Sequence, residues 1–185
     1  MKVIYLGAGS FWLMEAVYQK VIGVVEVVPG YMGGTISNPT EEVVATGTTG
    51  HAEVVKITYD ESIVTTETLL NIFFKLHNPA APNHPALGVG SQYRAVIFYT
   101  KEEVAIDRGN AENIGIIAQV IAGIESTLPE GVIVSTHVAG VKDFYPTEEL
   151  YYNYYQTHAA NDYCVTVIAP KIEAIQKQFL SAFSQ

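Results

Sequence analysis

The chain has 185 residues, a formal net charge of −9 and 49% hydrophobic residues. This length and composition fit one domain spanning 1–185 with a full core and argue against disorder, while the acidic balance excludes the basic face that nucleic acid requires. The single cysteine, Cys164, excludes an internal disulfide framework. With no long uncharged apolar run to span a bilayer and no signal-peptide pattern at the start, a cytoplasmic setting is expected.

In chain order, Val3 to Leu6 reads as a buried strand, and Gly7-Ala8-Gly9 turns the backbone so that Ser10 stands where a helix begins. The spacing of Trp12, Ala16, Tyr18 and Ile22 predicts a helix over 11–22 with Gly23 as its C-cap. Val24 to Val28 is β-branched and predicts a strand ended by a Pro29-Gly30 turn. The stretch from Gly33 to Gly50 reads as an irregular excursion, Ala52 to Tyr59 as a strand, and Glu67 to Leu76 as a helix capped by Thr65 or Thr66. A proline- and asparagine-rich loop follows over 77–90, and loops of that length in compact domains are usually functional or disordered. Arg94 to Tyr99 predicts a strand, Lys101 to Ala122 a helix, and Val132 to Val138 a strand. Pro146-Thr147-Glu148-Glu149 has the early proline and first-turn acids of a helix start, and Lys171 to Phe183 predicts a last amphipathic helix. Irregular alternation of strands and helices predicts an α+β fold, a two-layer domain with helices packed on a mixed sheet.

Five stretches, in order, carry a resemblance: Gly7-Ala8-Gly9-Ser10-Phe11-Trp12 with Glu15-Ala16; Gly30-Tyr31-Met32-Gly33-Gly34 with Asn38-Pro39-Thr40; Thr49-Gly50-His51-Ala52-Glu53; Gly90-Ser91-Gln92-Tyr93-Arg94; and Phe144-Tyr145-Pro146-Thr147-Glu148. Val167-Ile168-Ala169-Pro170-Lys171 adds a sixth near the end. Together these resemble the A-type methionine sulfoxide reductases, which would make the chain a peptide methionine (S)-S-oxide reductase with a ferredoxin-like core. The family carries Gly-Cys-Phe-Trp at the helix start, and its cysteine attacks the sulfoxide sulfur. Here that position is Ser10.

The resemblance implies a role for each matched position. Position 10 is the nucleophile's place at a helix N-terminus, where thiol pKa values fall. Glu53 would be the acid, kept neutral by desolvation so that it can protonate the departing oxygen. Tyr93 would hydrogen-bond the same oxygen, and Phe11 and Trp12 would form the slot for the S-methyl group. Glu41, His51 and Gly90 complete the implied substrate-binding positions. Cys164 stands where many members keep a resolving thiol, which condenses with a sulfenic acid to a disulfide that thioredoxin then reduces. Neither cofactor nor metal is implied. The expected partners are peptides or proteins bearing oxidised methionine, and thioredoxin; no membrane partner is expected.

Several positions depart from the family pattern. A serine hydroxyl without an adjacent base is a weak nucleophile, and its oxygen cannot take up the sulfoxide's oxidising equivalent, so this chain is expected to bind without turnover. Ser10 has three possible origins: a replacement made to trap a substrate complex, a natural loss leaving a binding module for oxidised methionine, or a selenocysteine codon read as serine. The family's tyrosine after Asn-Pro-Thr is Glu41, its acid before the Gly-Thr-Gln-Tyr-Arg glycine is Gly88, and its later histidine is Tyr151. Other readings are weaker. The Gly7-Ala8-Gly9 turn lacks the third glycine of a dinucleotide fingerprint. His51-Ala52-Glu53 lacks the cysteine pair of a zinc deaminase, and the five histidines have no metal-ligand spacing. The tyrosines at 151, 152, 154 and 155 read chiefly as a packing face, with one or two of them open to line the site mouth.

Overall fold

The computed structural model describes residues 1–81, 90–100, 108–141 and 143–183. A six-stranded sheet runs through it, formed by β1 (Lys2–Gly7), β2 (Val24–Met32), β3 (Ala52–Tyr59), β4 (Val96–Thr100), β5 (His137–Val141) and β6 (Phe144–Pro146). Their order is β5-β4-β1-β3-β2-β6, with β4 and β5 parallel and every other pair antiparallel. The helices are α1 (Phe11–Tyr18), α2 (Glu41–Ala45), α3 (Thr66–Leu76), α4 (Arg108–Glu125), α5 (Tyr154–Thr157) and α6 (Ala169–Gln178). The four central strands, ordered β4-β1-β3-β2 with α1 between β1 and β2 and α3 between β3 and β4, make the ferredoxin-like core of an α+β fold.

Strand alternation divides the core between the two faces of the sheet. Ile4 and Leu6 of β1, Val55 and Ile57 of β3, and Ile97 of β4 share a large apolar cluster with Phe11, Met14 and Val17 of α1 and Leu69, Leu70 and Phe73 of α3. On the opposite face Tyr5, Met32, Val54, Val96 and Phe98 form a smaller cluster under Phe144. The predicted strand over 52–59 and the helix capped by Thr65 appear as expected, with Thr65 Oγ1 accepting from the Thr68 N–H. The first helix is shorter than its spacing predicts. It ends at Tyr18, because Val21 leaves the helix to bridge Phe183 and Gly23 serves a later turn at φ 94°.

Four further expectations are corrected. Pro29-Gly30 is no turn: β2 continues to Met32, pairing Pro29 with Val55 and Gly30 with both Val54 and Pro146. The strand tolerates Pro29 because its carbonyl still accepts from the Thr147 N–H at 3.0 Å. Phe144–Pro146 is an edge strand, so the predicted helix start at Pro146 gives way to a 3-10 turn over Glu149–Tyr151 and the single turn of α5. The predicted strand over 132–138 begins only at His137. The last helix starts earlier than predicted, as a π-turn over Cys164–Ile168 running into α6. The predicted loop over 77–90 and the helix from Lys101 lie partly outside the described residues.

Gly7 ends β1 where a side chain has no room: a Cβ there would run into the Glu53 carbonyl and the Val96 and Val54 side chains. Gly7→Ala is therefore expected to destabilise the fold by about 1–3 kcal/mol. That corresponds to roughly 2–4 °C of melting temperature per kcal/mol for a chain of this size. An unchanged melting temperature would show that β1 and β3 can spread without penalty.

Candidate active site at the start of the first helix

Gly9 turns the chain out of β1 at φ 76°, and its N–H donates to the Tyr93 carbonyl at 2.9 Å. This bond joins the turn to the short 3-10 segment Ser91–Tyr93, which Gly90 starts at φ 97°. Ser10 then caps α1, its Oγ accepting from the Trp12 N–H at 3.2 Å. The next open donor, the Phe11 N–H, goes to Glu53 Oε2 at 3.0 Å. Both acceptors meet the need of a helix start, whose first N–H groups have no partner within the helix.

Glu53 lies in β3 opposite Tyr31 and is 6% exposed. Burial pushes its carboxyl up to about 8; the Phe11 N–H pulls the other way and the nearby Glu41 charge adds to the rise. Beside it a hollow of about 420 Å³ opens, lined by Gly9, Ser10, Trp12, Tyr93 and Tyr163. This is ample for a thioether-sized side chain, since small-ligand pockets run from about 300 Å³ upward. Burial also raises the Tyr93 and Tyr163 phenols, and the Glu53 charge adds to both; the Ser10 hydroxyl draws the Tyr163 phenol back.

Trp12 forms a wall of the hollow and is itself packed among tyrosines. Tyr154 stacks on it at 3.7 Å and 5°, while Tyr151 and Tyr163 approach at 6.3 Å each. Its indole Nε1 is buried without a hydrogen-bond partner among the described residues. Phe11 is 1% exposed and packs on Tyr31 at 5.7 Å, so its ring supports the hollow from the core and does not line it.

The remaining sequence candidates take other positions. Glu41 starts α2, and its N–H donates to Glu148 Oε1 at 3.3 Å; it reaches the site through its charge on Glu53, Tyr93 and Tyr31. Glu148 precedes the short 3-10 turn Glu149–Tyr151 without capping it by its side chain, and closes a polar chain instead: Thr147 Oγ1 donates to Glu148 Oε2 and is itself hydrogen-bonded to the Tyr31 hydroxyl, both at 2.9 Å. His51 is 1% exposed and occupied at both nitrogens, Nδ1 accepting from the Gly34 N–H at 3.1 Å and Nε2 donating to the Ile36 carbonyl at 2.8 Å. It pins the turn after β2 and does not line the hollow. Gly90 acts on the backbone alone. Cys164 is fully buried in the apolar core, and burial pushes its thiol up. Its neighbour Tyr163 reaches the hollow instead. Gly88 lies outside the described residues, among which no group of three or more histidine, cysteine or acidic side chains could hold a metal.

Tyr163 is the lining residue that the sequence does not mark, and the sequence does not say which of the clustered tyrosines stands at the site, a place that Tyr154 takes by stacking on Trp12. Nothing in local spacing separates them from the other tyrosines; only the neighbouring Cys164, singled out for its sulfur, points to the segment.

The peptide methionine sulfoxide reductase family matches residues 2–183, and the chain belongs to that family. It is 42% identical to peptide methionine sulfoxide reductase MsrA of Saccharolobus solfataricus over 179 residues, covering 97% of this chain and 95% of that protein. To the MsrA of Nautilia profundicola it is 43% identical over 171 residues, covering 92% of each. Among solved structures it is similar to reduced Mxr1 from Saccharomyces cerevisiae, with TM-score 0.69, 25% identity and 88% of each chain covered. Methionine sulfoxide reductase A of Corynebacterium diphtheriae shares the fold, with TM-score 0.71 and 23% identity over 86% of this chain and 76% of that one.

The raised Glu53 carboxyl has a signed consequence for stability. Between its ordinary value of 4.5 and about 8, the folded state keeps a proton that the unfolded state has lost. Stability therefore falls as pH rises through that window, by up to about 1.4 kcal/mol per unit. Glu53→Gln removes the titration and keeps an acceptor for the Phe11 N–H. The melting temperature of the variant relative to the parent should climb steadily from pH 5 to pH 8 and level off above. Parallel curves across that range would place Glu53 in an ordinary solvated state.

Proposed function

We propose that the hollow at the start of α1 binds the side chain of L-methionine (S)-S-oxide, free or in peptides and proteins, over the whole-chain domain 1–185. With Ser10 at the nucleophile's position, the protein binds this substrate without turning it over. One observation supports the reading above others: a carboxyl raised to about 8 is bonded to the helix turn that Ser10 caps. Near neutral pH Glu53 holds a proton it can give up, and the phenols of Tyr93 and Tyr163 line the same hollow. Trp12 provides an apolar wall for the methyl group.

In a form with a thiol at position 10, the sulfur attacks the sulfoxide sulfur while Glu53 and the tyrosines protonate the oxygen. The balance is one thiol and one sulfoxide giving one sulfenic acid and one thioether. A second thiol then forms a disulfide with the sulfenic acid and releases water, and a dithiol such as thioredoxin restores the start. Oxygen at position 10 stops this sequence at binding, because a hydroxyl has no state equivalent to sulfenic acid. A natural binding module for oxidised methionine shares the same pocket, and the fit of Ser10 as an N-cap favours keeping that second reading. The codon at position 10 in the source gene separates the two: serine supports the module, cysteine an altered enzyme.

Ser10→Cys should confer reduction of the (S)-sulfoxide driven by dithiothreitol, with little activity toward the (R) epimer. Absence of turnover in a folded variant that binds sulfoxide would remove position 10 from the nucleophile's role. In the Ser10→Cys background, Glu53→Gln should slow the first turnover by roughly 100-fold or more, the usual contribution of a general acid. An unchanged single-turnover rate would remove Glu53 from proton transfer. Cys164→Ser in that background should spare dithiothreitol-driven turnover and impair cycling with thioredoxin. Because Cys164 is buried, its disulfide with residue 10 would require the turn over Cys164–Ile168 to open.

A further inference from the structure

Glu15 does not line the hollow, yet it is one of the most deeply buried acids in the molecule, at 1% exposure. Its Oε1 accepts from the Asn153 N–H at 2.9 Å, and its Oε2 has no hydrogen-bond partner among the described residues. Burial pushes this carboxyl above the ordinary range, while the Asn153 and Tyr154 N–H groups draw it back. One turn further along α1, Gln19 Nε2 donates to Asn153 Oδ1 at 2.8 Å, and Gln19 Oε1 accepts from Gln156 Nε2 at 2.6 Å. Two successive turns of α1 therefore grip residues 153–156.

Tyr154 and Tyr155 of that segment pack on the main core, but its backbone has few other anchors. Asn153 is left-handed at φ 53°, and the helix it starts, α5, is a single turn without a side-chain cap. A helix of one turn is unstable by itself, since nucleation outweighs the few bonds formed. What the segment presents is Tyr154, flat on Trp12 and backed in turn by His158 at 4.2 Å and 10°. An apolar residue at position 15 would escape the desolvation penalty that a buried acid suffers. It would also leave the N–H groups opening α5 without an acceptor.

We propose that Glu15 is a positioning residue for the pocket: it anchors the turn at 153–157 so that Tyr154 stays stacked on Trp12, and Trp12 thereby keeps its place as the wall that receives the substrate's methyl group. This rests on the reading of the hollow as a sulfoxide site. A carboxylate suits the task because its bonds to N–H donors are charge-assisted and about twice as strong as neutral ones. Glutamine would keep the volume and one acceptor but not the charge.

Trp12 is the single tryptophan of the chain, so its fluorescence reports directly on the stack. In the ligand-free protein, Glu15→Ala and Tyr154→Leu should each raise acrylamide quenching of Trp12, and Glu15→Gln should show part of that rise. The double variant Glu15→Ala/Tyr154→Leu should quench no more than Tyr154→Leu alone, because residues acting through one contact are not additive. Titration with a dipeptide carrying the (S)-sulfoxide should give a Kd roughly tenfold weaker for Glu15→Ala, a loss of about 1.4 kcal/mol. Quenching at the parent level in both Glu15 variants, or full additivity in the double variant, overturns the positioning role. If Glu15→Ala does not fold, Glu15→Gln and Tyr154→Leu decide the same question. A parent protein that binds no sulfoxide, while the quenching pattern holds, overturns the reading of the pocket and leaves the anchoring of the stack intact.

Discussion

The hydrogen bond from the Phe11 N–H to Glu53 Oε2 is the contact on which the rest of the site depends. It joins the middle of the sheet to the first turn of α1 at a point where Gly7 lets β1 and β3 come together without a side chain between them. A carboxylate at a helix start would ordinarily be favoured in its charged form. Here desolvation outweighs that preference, and the neighbouring Glu41 charge works in the same direction. With a pKa near 8, roughly nine in ten Glu53 side chains hold a proton at pH 7. The fold thus maintains an acid in its neutral form beside a helix cap, chiefly by burial in a tightly paired sheet.

The residue at that cap is under two demands. A helix start needs an acceptor for its open N–H groups, and serine is among the best at supplying one, worth about 1 kcal/mol over alanine. The chemistry of a sulfoxide needs a polarisable atom that can accept oxygen. Serine meets the first demand and fails the second. On the proposed reading, an oxygen at position 10 leaves α1, the hollow and the Glu53 bond in place and removes turnover, so that fold and catalysis separate at a single atom.

Much of the frame was legible in the sequence, because β1, β3 and α3 carry patterns that only one structure satisfies. Ala52 to Tyr59 has the β-branched content of a buried strand, and Thr65 stands immediately before a helical run. The pattern misled where tertiary pairing overrode a local signal. Pro29-Gly30 reads as a turn, but β6 supplies a partner for the Pro29 carbonyl and only glycine lets Tyr145 and Phe144 approach at position 30. The first helix reads four residues too long because Val21 and Ile22 have helical spacing yet pair with the C-terminal segment. In the site, Ser10, Trp12 and Tyr93 were accessible through the family resemblance of the stretches that hold them. Tyr163 was not, since a π-turn decides whether it or Cys164 faces the hollow, and no sequence period encodes that turn.

The protonation states around the hollow also decide between kinds of chemistry. Glu53, Tyr93 and Tyr163 are all raised; the two tyrosines line the hollow, and Glu53, which is not among the lining residues, is bonded to the Phe11 N–H at the helix start. No base faces Ser10 among the described residues. His51, two residues before Glu53 in sequence, is lowered by burial and committed at both nitrogens to the turn after β2. A serine nucleophile of the hydrolytic kind needs a base to take its proton, and this hollow offers only groups that give protons away. Such a site suits a reaction in which an oxygen must be protonated to depart and the attacking atom needs no base because it ionises on its own. A thiol at a helix N-terminus behaves in that way and a hydroxyl does not. On the proposed reading, the surroundings of Ser10 suit a sulfur nucleophile better than an oxygen one.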